Sequence, residues 1–219
     1  MAGPVKAKRR YDSSRRRAQA AATRADILAA AQRLFESHGY AATTMEAIAA
    51  EAGVALKTVY VAFETKSGLL RALWNHLLRA GNDEVPVAEQ AWYRDVIAEP
   101  DPEQQIRATA RASRVVKERI GGVIEVIRTA APSDPDIAAL WERIQTDFHA
   151  NQRVIVESLD AKHALRAGLG VGRATDVMWT INHPSVWQLL VGERGWTPEA
   201  YERWCADLAC SQLLEPPGR

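Results

Sequence analysis

Residues 43–70, TTMEAIAAEAGVALKTVYVAFETKSGLL, decide how the chain is read. Thr43 and Glu46 stand at capping-box spacing, with Thr43 expected to cap a short helix through Ile48, Ala49 and Glu51. Gly53 ends that helix, and a second short one is expected over residues 55–62. Two short helices joined through Ala52-Gly53-Val54 suit a steep helix-turn-helix crossing. Ala49 is small where the helices meet, Gly53 can take the positive φ of the turn, and Val59 can anchor the second helix on the first. An ordinary helical hairpin would satisfy the same short pattern.

Helical periodicity extends outward on both sides, so the fold is expected to be all-α. Upstream, Ile27, Leu28, Ala31, Leu34 and Phe35 repeat at three and four, closed by Gly39 as a C-cap. Downstream, Thr65 caps a helix bearing Leu69, Leu70, Leu73, Trp74, Leu77 and Leu78. The helix-turn-helix domain is assigned to residues 20–80. A larger helical domain over 81–219 contains expected helices at about 103–120, 122–131, 135–158, 173–192 and 197–214, with a kink at Pro184.

Lys+Arg number 28 and Asp+Glu 27, a net charge of +1 that by itself suggests no polyanionic partner. The total conceals a division. Residues 1–79 hold 13 bases and 6 acids, whereas residues 80–219 hold 15 and 21. Lys6, Lys8, Arg9, Arg10, Arg15, Arg16 and Arg17 crowd the first 17 residues, so 1–19 is expected to be a flexible basic arm. Such an arm suits phosphate or an adjacent minor groove, and equally a solubilising tail. A hydrophobic content of 47% allows a sizeable core. No apolar run is long enough for a membrane helix, and Cys205 and Cys210 make no disulfide framework, so a cytoplasmic protein without membrane partners is expected.

The stretch from Thr43 to Leu70 resembles the TetR family of transcriptional regulators through Thr44, Ala52-Gly53-Val54, Thr58, Tyr60, Phe63, Lys66, Leu69 and Leu70. LRAGL at 165–169, Asn182-His183-Pro184 and GERGWTPEAYERW at 192–204 are similar to a regulatory domain of that family. The resemblance implies a dimeric repressor that binds a palindromic operator in double-stranded DNA and is released by a small-molecule effector. Thr44, Thr58, Tyr60 and Lys66 are then expected at phosphates, with Met45, Leu56 and Lys57 at base edges. Singly, each has a plainer reading as core or surface; together, in this register, they point to DNA. Ala55 departs from the Ser that commonly opens the second helix, and Ala62 from a His or Tyr suited to phosphate.

For the second domain the resemblance implies effector binding and dimerisation. Trp92, Trp141, Phe148, Trp179 and His183 are the candidate ligand residues, although Trp at helical spacing also suits a core. Val186, Trp187, Leu190, Tyr201, Trp204 and Leu208 are the candidate homodimer face, with burial inside one protomer as the alternative. Arg107, Arg111 and Arg114 form a stripe that suits either a solvated face or an anionic ligand.

An enzyme is the rival class. HExxH, GxSxG and P-loop patterns are absent, and the five His residues lack metal-ligand spacing, so no catalytic residue, metal or cofactor is expected. An effector-independent DNA-binding regulator is the second alternative.

Overall fold

The computed structural model describes residues 7–81 and 87–215, and it divides into units 1–73 and 74–219. The fold is all-α, and among the described residues no strand forms beyond an isolated bridge between Leu165 and Leu214. The first unit comprises α1 (Ala7–Ala42), α2 (Met45–Glu51), α3 (Leu56–Phe63) and the first part of α4 (Lys66–Leu78). Ile27, Phe35, Ile48, Val59, Leu69 and Leu70 are completely withdrawn from solvent and form its core. These are the positions at which the apolar repeats of four helices converge.

The arm expected over 1–19 is corrected from Ala7 onward, where the backbone is already α1; residues 1–6 lie outside the described residues. The physical reason is compositional: residues 7–38 hold no Gly or Pro and are rich in Ala and Arg, two of the better helix formers. Arg15, Arg16 and Arg17 are exposed on that helix. The units divide at Leu73, inside α4, earlier than the expected boundary at residue 80.

The second unit holds α5 (Ala91–Ala98), α6 (Pro102–Ala130), α7 (Pro135–Ala161), α8 (Val171–Ile181), α9 (Pro184–Trp187) and α10 (Pro198–Leu213). Helix α10 packs on α6 and α8, and α7 on α8, around Ile106, Ile155, Leu159, Met178 and Tyr201. Two expected helices, 103–120 and 122–131, are one helix, so Gly121 and Gly122 do not break α6. Gly121 makes room there: a Cβ on it would stand 3.2 Å from Nε1 of Trp187. Conversely, the expected kinked helix over 173–192 is broken outright. His183 takes an extended ψ of 139°, its ring Nδ1 accepts the amide of Ser185, and Pro184 opens α9, where a missing N–H costs nothing. A π-helical turn over Gln188–Glu193 follows.

Candidate nucleic-acid interface and ligand cavity

The turn between α2 and α3 is held by local backbone bonds. Gly53 has a φ of 66°, its amide donates to Ala50 O at 3.2 Å, and that of Val54 donates to Ala49 O at 3.0 Å. Ala49 is buried at the crossing and Val59 is buried on the facing side, as the spacing predicts. The cap differs by one residue from expectation. Thr44, rather than Thr43, caps α2 by accepting the amide of Ala47 at 3.1 Å. Thr43 is buried instead, its hydroxyl 2.8 Å from the carbonyl of Gly39 and 3.1 Å from that of Leu34.

The Met45 assignment is corrected too, because Met45 shares the buried face of Ile48 and Ala49. Met45 is only 5% exposed and belongs to the core, so it does not present itself to a base edge. Thr44, Lys57 and Tyr60 are exposed, while Leu56 and Thr58 are half-buried. Lys57, Tyr60 and Val61 share one face of α3 by their spacing of three and four. Val61 is 77% exposed, the largest value among the exposed large apolar residues, and sequence reasoning missed it. Its signal was available: Val59 and Phe63 already supply the inner side of so short a helix, which leaves Val61 outward.

Lys66 is also engaged differently than expected. Its ammonium donates to the carbonyls of Tyr40 at 2.8 Å and Thr43 at 3.0 Å and lies 4.3 Å from the Tyr40 ring centroid. The charge therefore ties α4 to the end of α1 and to the link between α1 and α2. Arg24 plays a matching part for α3, donating to Ala62 O at 3.1 Å with its guanidinium 4.3 Å over Phe63. Ala55 caps α3 without a side-chain bond, whereas Thr65 accepts the amide of Gly68 at 2.9 Å, both as expected.

Residues 27–73 match the family model described as bacterial regulatory proteins, tetR family. The domain belongs to the tetR family. Over most of the chain the fold is also that of solved tetR-type regulators. NalD of Pseudomonas aeruginosa, the secondary repressor of the MexAB-OprM multidrug efflux pump, superposes with a TM-score of 0.68 at 20% identity, covering 89% of this chain and 98% of its own. FadR of Bacillus subtilis, in complex with stearoyl-CoA, gives 0.66 at 16% identity and coverages of 85% and 97%. A TetR transcription regulator of Haloarcula marismortui gives 0.65 at 17% identity and coverages of 87% and 98%. No curated protein sequence matches the chain. The matched domain is thus of the kind found in bacterial regulatory proteins, and the similar structures are described as transcriptional regulators.

The second unit contains a cavity of about 100 Å³, lined by Trp92, Tyr93, Thr109, Phe148 and Gln152 among others. It runs into a second space that shares Leu78, Ser113, Val116, Phe148 and Asn151 with it and adds Trp74, Lys117 and Ile144. Of the candidate ligand residues, Trp92 and Phe148 line this space. Trp141 borders a separate small depression instead. Trp179 and His183 stack edge to face at 4.7 Å, and His183 meets Gln145 at 2.9 Å, so both are engaged in packing outside the cavity lining.

The expected dimer face is corrected in part. Trp187 and Tyr201 are buried in the core of one protomer, edge to face at 5.0 Å, because α9 and α10 turn their apolar stripes toward each other. Val186, Leu190, Trp204 and Leu208 are half-buried around them, while Leu189 and Trp196 are exposed. The arginine stripe is a solvent-side ion-pair face: Arg107 meets Glu103 and Asp207, Arg111 meets Glu202, and Arg114 meets Glu118 and Glu202. Among the described residues no helix is long and apolar enough to cross a membrane, and no cluster of metal-ligating side chains occurs.

Sequence reasoning also missed Lys117. It is 3% exposed in the middle of α6 and donates to Ser113 Oγ at 2.7 Å and Asn182 Oδ1 at 2.5 Å. Burial lowers its pKa to about 7. His183 is likewise held low, first by burial and then by the nearby lysine. Within α6, the spacing of Thr109, Ser113, Lys117, Ile120 and Ile124 on the buried side is the signal that was overlooked.

Proposed function

We propose that the protein is a ligand-responsive transcriptional repressor that acts in the cytoplasm, binds a palindromic operator as a homodimer, and is released from it by a small molecule. The observation that carries this reading is the outward face of α3, where Lys57, Tyr60 and Val61 stand free of a core that buries Ile48, Val59 and Phe63 behind them. Lys57 suits guanine acceptors, Val61 and the exposed part of Leu56 suit thymine methyl groups, and Thr44, Thr58 and Tyr60 suit phosphate oxygens. Lys66 acts in this reading through the amides of the α4 N-terminus, its ammonium being committed to Tyr40 and Thr43.

The apolar cavity supports the effector half of the reading, as does the stearoyl-CoA carried by the Bacillus subtilis regulator of similar fold. For the dimer we assign Val186, Leu190, Trp204 and Leu208 together with the more exposed Leu189 and Trp196. A two-fold dimer places two heads on successive half-sites, and an effector that prefers one spacing of those heads shifts DNA affinity. Selecting bound duplexes from a random pool with the purified full chain tests the reading. A palindromic consensus is expected; no enrichment over bulk DNA overturns it. Sedimentation at micromolar concentration is expected to give a dimer, and a monomer overturns that part.

A further inference from the structure

We propose that the cavity of the second unit takes an apolar ligand bearing a carboxylate, and that Lys117 is the group that binds the carboxylate. The inference rests on the effector reading above and names the chemistry of that same site. Three observations carry it. Lys117 lines the cavity and is itself 3% exposed, so its ammonium has left bulk water. Its hydrogen-bond partners, Ser113 Oγ and Asn182 Oδ1, are both neutral, and among the described residues no carboxylate forms an ion pair with it. Most of the remaining wall is apolar and aromatic, from Trp74, Val116, Ile120, Ile144 and Phe148, with Asn151 and the exposed Asp147 as its polar members.

A buried ammonium without a countercharge is costly, and a lysine offers three donors, of which two are used. A ligand carboxylate supplies the missing charge and an acceptor for the third N–H. A cationic ligand would meet a like charge, and a neutral one would leave the lysine as it is. Asp147, a carboxylate among the lining residues, is exposed.

The ammonium form of Lys117 gains the ion pair, so binding at pH 8 draws a proton onto an amine whose pKa burial has lowered to about 7. The titratable groups facing Lys117 from the neighbouring elements are Tyr201 and Cys205 on α10, His183 before α9, and Asp147 on α7. Burial holds Tyr201 and Cys205 neutral at that pH, first among their causes, and lowers His183, so all three remain uncharged.

The probes are decanoate, decanol and decyltrimethylammonium, titrated calorimetrically into the full-length protein and its Lys117→Met variant at pH 8, in two buffers of different ionisation enthalpy. Decanoate is expected to bind at least tenfold more tightly than decanol, with a net uptake approaching one proton. In Lys117→Met that preference and the proton uptake are expected to vanish while decanol still binds, which shows that the variant keeps its cavity. If decanol or the cation binds as tightly as decanoate, or decanoate binds without proton uptake, the carboxylate assignment is overturned and the cavity reading stands. If none of the three binds, both fall.

Discussion

Lys66 in the first unit and Lys117 in the second are both drawn out of water, to different depths and against different partners. In the tetR-family domain, Lys66 is half-buried and meets two backbone carbonyls and an aromatic face, so its charge is answered by fixed dipoles. In the second unit, Lys117 is almost fully buried, meets one hydroxyl and one side-chain amide oxygen rather than backbone carbonyls, and lies 5.2 Å from the Tyr201 ring centroid. A charge satisfied by the backbone stabilises a turn. A charge left short of partners destabilises the fold and is retained where a ligand makes use of it. The helix-turn-helix unit thus presents a finished surface, and the second unit an unfinished site.

The contrast breaks first at Lys117. Replacing it with Met is expected to raise stability at pH 7, by an amount on the order of the 1–4 kcal/mol typical when buried ion pairs give way to apolar side chains. Ser113 Oγ still donates to Asn182 Oδ1 at 2.6 Å, so the amide oxygen keeps a partner. Denaturant unfolding checks this, and a loss of stability would mean that the lysine is a structural tie like Lys66. The pH dependence follows with a definite sign. Because the folded pKa lies near 7 and the ordinary value is 10.5, the unfolded chain holds more protons between those limits. The penalty is fully present below pH 7 and fades toward pH 10.5, so wild-type stability should rise relative to Lys117→Met between pH 7 and 9. Parallel profiles would contradict the buried ammonium.

Lys66→Met is the counterpart, with the opposite direction. It strips the ammonium from Tyr40 O and Thr43 O and should cost about 1–3 kcal/mol, read as a lower unfolding midpoint. An unchanged midpoint would place Lys66 with ordinary surface charges. The smallest effect concerns α3, whose cap Ala55 offers no side-chain acceptor. Ala55→Ser is expected to add about 1 kcal/mol, and no gain would indicate that the α3 amides are already satisfied.

The order of helices in the first unit was legible because Gly53, Thr65 and the apolar repeats act locally. The cap of α2 was not, since Thr43 and Thr44 offer the same hydroxyl, and only the partners Leu34 and Gly39 draw Thr43 inward. Met45 stands three and four residues before Ile48 and Ala49 and shares their buried face, a spacing that the family resemblance overrode. Lys66 was misread for another reason: its partners lie 23 and 26 residues away, beyond any local pattern. In the second unit, periodicity identified the apolar stripes of α9 and α10 but not what covers them. Trp187 and Tyr201 cover each other. Of the five candidate ligand residues, Trp92 and Phe148 reach the cavity, because an aromatic side chain in a sequence carries no sign of whether it lines a wall or fills a gap.

The central claim is that the outward face of α3 reads DNA. Its most direct test is fluorescence anisotropy of the duplex selected from the random pool, against a scrambled duplex, with the wild type and a Lys57→Ala, Val61→Ala double variant that retains the wild-type helical spectrum. The account predicts that the variant loses at least tenfold in affinity for the selected duplex and much less for the scrambled one, since base contacts specify while phosphate contacts only position. Equal affinity of wild type and variant for the selected duplex would contradict it.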